Sequence, residues 1–265
     1  MPETANEQDA ILLREDSGSR VTLTFNRPAQ FNALSEEMLT ALQAELDDIA
    51  TDKSKTVLVI TGHGRAFCAG HDLKQMRANP EQDYYRALFS QCAKVMQTIN
   101  EMPQIVIARV QGIATAAGCQ LVAQCDLAVA VDSARFAVSG INVGLFCSTP
   151  SVSLSRNVSR KRAMEMLVTG EFIDAAKALD YGLINHAVPV DELDASVDAL
   201  VDKICSKSSA AIAQGKQLFY KQLDRNLAGA YELSAEVMAC NMMNEDAAEG
   251  IDAFMQKRKP EWKGC

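Results

Sequence analysis

The sequence predicts an α/β fold in which strand pairs alternate with helices, followed by a helical C-terminal region. Three observations predict it. β-branched runs recur at Val21 to Phe25, Val57 to Thr61, Ile105 to Val110 and Leu127 to Val131, and the stretches between them carry helical patterns, which suggests a repeated ββα unit. From Ser151 onward β signals almost vanish while apolar residues keep recurring at helical spacing. A chain of 265 residues with 48% hydrophobic content can bury one large core, with at most a small appendage. The expected division is a ββα core over residues 1–200 and a helical region over residues 201–265.

The first run, Ile11 to Leu13, and the second, Val21 to Phe25, flank Asp16-Ser17-Gly18-Ser19, so a hairpin is the economical reading. Asn26-Arg27-Pro28 ends the second strand, because proline lacks a ladder donor and restricts the residue before it. Ser35 can cap the next helix, with Glu36 and Glu37 in its first turn and Met38, Leu39, Leu42, Leu46 and Ile49 on one face. Thr56 to Thr61 is the next strand, Asp72 to Asp83 reads as a loop, and Asp83 to Glu101 is a long amphipathic helix. Strand Ile105 to Val110, a small-residue turn, a buried helix from Cys119 to Cys125, and strands Leu127 to Val131 and Phe136 to Val138 complete the β-rich part. Helical segments follow at 160–169, 175–181, 191–207, 210–223, 227–243 and 247–257.

A net charge of −8 argues against a nucleic-acid surface as the main business, although a local basic pocket for a phosphorylated ligand stays open. The eight cysteines form no CxxC pair and no cluster with histidine; Cys92, Cys119, Cys125 and Cys205 sit in apolar runs and read as reduced core residues, with neither a disulfide frame nor a metal site. The N-terminal MPETANEQDA has neither a positive n-region nor an apolar h-region, and no apolar run is long enough to span a bilayer. A soluble, untargeted, cytoplasmic protein is expected.

Two turns carry the chemistry. In QGIATAAGCQLVAQCD, residues 111–126, a backbone almost without side chains opens onto a helix N-terminus, where free N–H groups can hold an anionic oxygen; small residues that merely let a helix pack closely on a sheet explain the same stretch. In RAFCAGHDLK, residues 65–74, the turn after another β run offers a further backbone N–H at His71. Two such turns could aim two donors at one oxygen.

With these residues the sequence resembles the crotonase superfamily, the enoyl-CoA hydratase/isomerase family. The matching stretches are NRPAQFNAL at 26–34, AFCAGHDLK at 66–74, GIATAAGCQLVAQCDLAVA at 112–130, AKALDYGLI at 176–184 and FMQKRKPEW at 254–262. They occur in the family's order and cover nearly the whole chain. The resemblance implies a crotonase-like spiral of ββα units with a helical C-terminal oligomerisation region, assembled as a homotrimer or a hexamer of two trimers. It implies an acyl-CoA thioester as substrate or ligand, with no permanently bound cofactor. The backbone N–H groups of His71 and Ala117 then form an oxyanion hole, and Ala29, Phe31, Ala69, Asp72, Leu73, Gly118 and Lys257 fall at substrate or coenzyme A positions. For Phe31 an ordinary core contact, and for the Lys257-Arg258-Lys259 cluster a solvated basic helix end, are the alternatives.

The acid/base pair is where this chain departs from the family. The family's hydratases place glutamates at the positions held here by Gln120 and Gly140. An amide cannot take a proton from water at neutral pH and glycine offers nothing, so two groups worth about 10²–10⁴-fold each are missing. Oxyanion stabilisation of roughly 3–4 kcal/mol could remain. Restoring both carboxylates is expected to raise the rate. Cys147 and Ser148 overlie a position where some members carry a nucleophilic aspartate, but a nucleophile needs a base, and the histidines are His63, His71 and His186; Asp132, near a strand end, is expected at the surface. Three functions follow: an enzyme of the hydratase/isomerase type with altered or weak acid/base chemistry, a non-catalytic acyl-CoA-binding or regulatory protein, and a thioester hydrolase using Cys147 or Ser148.

Overall fold

The computed structural model describes residues 10–265; the first nine residues of the stretch read as untargeted lie outside the described residues. β1 (Leu12–Ser17) and β2 (Arg20–Phe25) form the expected antiparallel hairpin, with Gly18 turning at φ +56. α1 (Glu36–Thr51) starts where Ser35 accepts the Met38 N–H, and all five residues expected on its inner face are buried. β2 is then joined in parallel by β3 (Val57–Gly62), which is buried along its whole length, as a strand covered on both faces must be.

Two sheets result. Short β4 (Ala66–Cys68), β6 (Ile113–Thr115) and β8 (Arg135–Ala137) each follow a longer strand, β3, β5 (Ile105–Val110) or β7 (Leu127–Val131). The longer strands lie in a six-stranded sheet of order β1-β2-β3-β5-β7-β10, and the shorter ones lie in a four-stranded sheet of order β4-β6-β8-β9. β9 is Ile173–Asp174 and β10 is His186–Val188. The units that begin with β3, β5 and β7 therefore give one strand to each sheet, whereas β1 and β2 both lie in the larger one, and the units that end in α3 (Gln82–Glu101) and α4 (Ala117–Gln124) pack their helices on the same core. The three-residue strands β4 and β6 lie inside stretches read as turns, because three residues are too few to show a period of two.

Two expectations need correction. The loop expected from Asp72 to Asp83 contains a short α2 (Leu73–Ala78), capped by Asp72, whose Oδ1 accepts the N–H groups of Lys74 and Gln75. β structure persists beyond Ser151: β9 pairs with β8, and β10 closes the large sheet beside β7. The expected boundary between residues 200 and 201 falls within α8 (Leu193–Cys205). α5 (Ser148–Asn157) precedes the first expected helical segment, whereas the helices from α6 (Arg160–Thr169) through α7 (Ala175–Tyr181) and α8 to α9 (Ser209–Leu223), α10 (Leu227–Met242) and α11 (Glu245–Gln256) follow the sequence pattern within a few residues.

α9 is tied to the core by a buried ion pair. Lys216 Nζ donates to Asp126 Oδ2 at 2.6 Å and to the carbonyls of Ile99 and Gln104 at 2.7 Å each. The Val106 N–H and the Tyr220 hydroxyl complete the Asp126 carboxylate. Every proton of the ammonium group has an acceptor, the condition under which a buried charge is tolerable.

The glycines of the central turn are fixed by backbone approach. A Cβ on Gly118 would lie 2.1 Å from the Cys68 carbonyl oxygen, and one on Gly112 would lie 2.2 Å from the Arg65 carbonyl oxygen. Neither neighbour is a flexible side chain. Gly118→Ala is accordingly expected to destabilise the chain by about 3 kcal/mol, the upper end of ordinary overpacking costs. Urea denaturation checks this, and a loss below about 0.5 kcal/mol would contradict the close packing.

Candidate active site

The first turn leaves one donor over. After β4, the Ala69 N–H donates to Phe31 O (3.0 Å), the Gly70 N–H to Cys68 Sγ (3.4 Å) and the Asp72 N–H to Leu34 O (3.3 Å), while Gly70 O accepts the Leu34 N–H (2.8 Å). The His71 N–H is left without an acceptor among the described residues. This turn is held from below by Asn32, which is fully buried at φ +55. Its Oδ1 accepts the Arg27 N–H, and its Nδ2 donates to the carbonyls of His63 and Ala66. Asparagine tolerates that left-handed conformation better than other non-glycine residues. Asn32 stood inside a quoted motif, but nothing in the sequence marked it as the staple.

The second turn is built likewise. The Ala116 N–H donates to Ala137 O at 2.9 Å, and Ala116 itself sits at φ +50, ψ −121, a conformation that costs an alanine about 1–3 kcal/mol. It turns the chain so that Ala117 becomes the first residue of α4, where a backbone N–H has no intrahelical acceptor. The two turns touch: a Cβ on Gly70, which has φ +89, would lie 2.8 Å from Ala116 Cβ and 3.1 Å from Ala117 N. The close-packing reading of this stretch is thus the arrangement observed.

Both turns border a cavity of about 260 Å³. Of the expected site residues, Ala69, His71, Leu73, Ala117, Gly140, Cys147 and Ser148 line it. Its remaining walls are largely apolar: Phe89, from the apolar stripe expected on α3, and Met76, Val143, Leu145 and Phe146, which no periodicity had marked. Two larger hollows, of about 330 and 480 Å³, lie under the C-terminal helices and contain none of the expected residues.

Residues 15–265 match the family model described as enoyl-CoA hydratase/isomerase. The chain belongs to the enoyl-CoA hydratase/isomerase family. It is 46% identical to the Xenopus laevis protein named enoyl-CoA hydratase domain-containing protein 3, mitochondrial, over 95% of this chain and 85% of that one. It is 35% identical to the 2,3-dehydroadipyl-CoA hydratase of Escherichia coli, over 91% of this chain and 94% of that one. Among solved structures, an enoyl-CoA hydratase of Mycobacterium smegmatis superposes with a TM-score of 0.95 at 56% identity, over 96% of this chain and 99% of that one. The crotonase fold implied by the sequence motifs is the fold observed.

The other positions implied by family resemblance do not border the cavity. Gln120 is buried beside the first turn of α4, with its Oε1 unpartnered, and is absent from the cavity lining. Gly118 is pressed on β4, and Asp72 caps α2. Ala29 is exposed, and Phe31 is half-buried with the Arg65 guanidinium 4.4 Å from its ring centroid. Lys257 ends α11 at φ +55, next to an Arg258 engaged by Glu249, and is not part of the cavity. His63 and His186 are exposed, as is Asp132, which agrees with its expected surface place.

Restoring both carboxylates meets an obstacle. Gly140 does not have a positive φ, but a Cβ there would lie 2.6 Å from the Leu145 carbonyl oxygen and 2.8 Å from Cys147 Sγ. The loop that follows occupies the space through which a longer side chain would have to pass. A glutamate at 140 therefore requires that loop to move, and the double change cannot simply rebuild the family's pair.

The cavity is lined by neither carboxylates nor fixed cations, and its titratable groups are His71 and Cys147. Burial pushes the His71 imidazole down to about 4. Burial also pushes the Cys147 thiol up, although Cys147 Sγ accepts the Gly140 N–H at 3.3 Å. That is the opposite of the activation a thiol nucleophile needs. The Ser148 hydroxyl donates to Phe146 O at 3.3 Å. Ser139 and Thr115, missed in the sequence, share a hydroxyl hydrogen bond of 2.8 Å at the edge of the site.

The depressed His71 value makes stability depend on pH. Unfolded, the ring binds a proton below its ordinary value of 6.5; folded, it does so only below about 4. The unfolded state binds more protons across that window, so this residue's contribution is full above pH 6.5 and falls as the pH drops toward 4, by roughly 3 kcal/mol in all. His71→Gln should lack this component, giving a shallower loss of stability between pH 6.5 and 4.5 in parallel denaturation series. Identical slopes for the two proteins would refute the assignment.

Proposed function

We propose that this chain binds acyl-CoA thioesters and carries out slow hydratase-type chemistry on them. The observation that carries the reading is the pair of unpartnered backbone donors, His71 N–H and Ala117 N–H, at touching turns on a largely apolar cavity. A thioester that gains electron density at its carbonyl becomes an enolate-like oxyanion, and donors that bind this charge better than the ground state lower the barrier. The names of relatives such as the E. coli hydratase support the same reaction class. Slowness follows from Gln120 and Gly140 standing at the family's glutamate positions.

A second reading, a non-catalytic acyl-CoA-binding protein, is favoured by the absence of carboxylates from the cavity lining. Thioester hydrolysis through Cys147 has no comparable support, because burial holds the thiol protonated. Relatives named as mitochondrial set a mitochondrial location beside the cytoplasmic expectation. No helix among the described residues is long and apolar enough to cross a membrane.

Binding is read from melting temperature. Butyryl-CoA should raise it progressively above the dissociation constant, by an amount equivalent to about 2.7 kcal/mol at a hundredfold excess. No shift with short, medium or long acyl-CoA at millimolar concentration would sink the reading. Hydration of crotonyl-CoA is expected well below about 10 per second, an ordinary metabolic turnover; a rate above that would mean that full acid/base machinery is present.

We also infer a homo-oligomer, a trimer or hexamer. Met243, Phe254 and Leu227 expose 85%, 84% and 76% of their surfaces, and Tyr231 and Met238 add further exposed apolar side chains on the C-terminal helices, which support burial against other copies. Light scattering at micromolar protein should give at least three chain masses. A monomer mass would overturn the inference.

A further inference from the structure

The reading of the cavity as an acyl-CoA site leaves open which group moves protons in it. Its hydroxyls, those of Ser139, Ser148 and Thr149, are too weakly basic to take a proton from water at neutral pH, and two are engaged: Ser139 with Thr115, and Ser148 with Phe146 O. Cys147 Sγ is held by the Gly140 N–H, and Gln120 lies outside the lining. The His71 ring remains. It meets Phe89 edge to face, at 5.3 Å between centroids and 80° between planes. Its Nε2 is shut off from solvent without a hydrogen-bond partner among the described residues, whereas Nδ1, likewise unbonded among them, is not shut off.

We propose that the His71 imidazole is the proton-transfer group of this cavity, acting through Nδ1 on the acyl group whose carbonyl oxygen is held by the backbone N–H of the same residue. An Nε2–H can rest on the π face of Phe89, which leaves the Nδ1 lone pair free. For an α,β-unsaturated thioester the steps balance. Water oxygen bonds to the β carbon while one water proton passes to Nδ1, and the C=C electron pair moves to leave an enolate on the thioester oxygen, held by the His71 and Ala117 N–H groups. The imidazolium proton then passes to the α carbon, and the neutral ring is restored. One residue thus supplies an oxyanion donor and the base, so covalent geometry limits the distance between them. Burial keeps the ring neutral at pH 7, as a base requires.

The test compares wild type with His71→Ala and His71→Gln, which keep the backbone N–H. Butyryl-CoA affinity is followed by thermal shift and crotonyl-CoA hydration by absorbance, with and without added imidazole. Expected are near wild-type binding in both variants, a loss of hydration of about 10²-fold or more in each, and partial rescue of His71→Ala by imidazole, which a merely structural role would not show. Variants that bind butyryl-CoA yet hydrate crotonyl-CoA at the wild-type rate would overturn the proposal and leave the binding reading intact. So would a wild type that binds but shows no hydration. Failure of the wild type itself to bind would overturn both. Should His71→Ala not fold, His71→Gln decides between the same outcomes.

Discussion

The site depends on one backbone-to-backbone contact, the N-terminal turn of α4 pressed on the end of β4. No side chain fits between Gly118 and the Cys68 carbonyl, nor between Gly112 and the Arg65 carbonyl. That contact brings the Gly70 turn against Ala116 and Ala117, and so brings two donors without acceptors to one cavity wall. The cost is local: an alanine at φ +50 and two backbone N–H groups left unpaired. Such strain persists only where the surroundings over-determine it, and here the buried Asn32 and the two packed sheets do so.

The same packing defines the electrostatics. A cavity lined by neither carboxylates nor fixed cations, holding a histidine kept neutral by burial, presents dipoles rather than charges. Fixed dipoles can stabilise an oxyanion with little reorganisation, and they act more strongly in a site of low dielectric constant than in water. Proton transfer needs a group that changes charge, and very few groups here can. The tight loop over Gly140 makes this a property of the backbone as much as of the residue, since the chain has closed over the space a glutamate would use.

The C-terminal helices divide their surfaces between two tasks. α9 is bound to the core by the Lys216–Asp126 pair, whose hydrogen bonds reach β5 and the end of α3. α10 buries none of its residues within the chain, though its sequence is rich in Leu, Ala and Met. Its apolar side chains, Leu227, Tyr231, Met238 and Met242 among them, are left exposed on the single chain.

Much of this was legible in the sequence for physical reasons. Long parallel strands such as β3 and β5 must be largely apolar, α1 and α3 must carry an apolar stripe, and Ser35 can cap, so their positions followed from residue types alone. Residue types also decided that Gln120 and Gly140 bring no carboxylate, whatever the fold. The short strands β4 and β6, the apolar wall from Val143 to Phe146 and the staple at Asn32 were not legible, because each is defined by a partner distant in sequence rather than by local spacing. Family motifs pointed to His71 and Ala117, but only the tertiary structure decided that their N–H groups lack acceptors, that Gln120 stands outside the cavity lining and that no side chain fits at Gly140. Those are questions of which atoms occupy neighbouring space, and a linear pattern of residue types does not contain the distances that answer them.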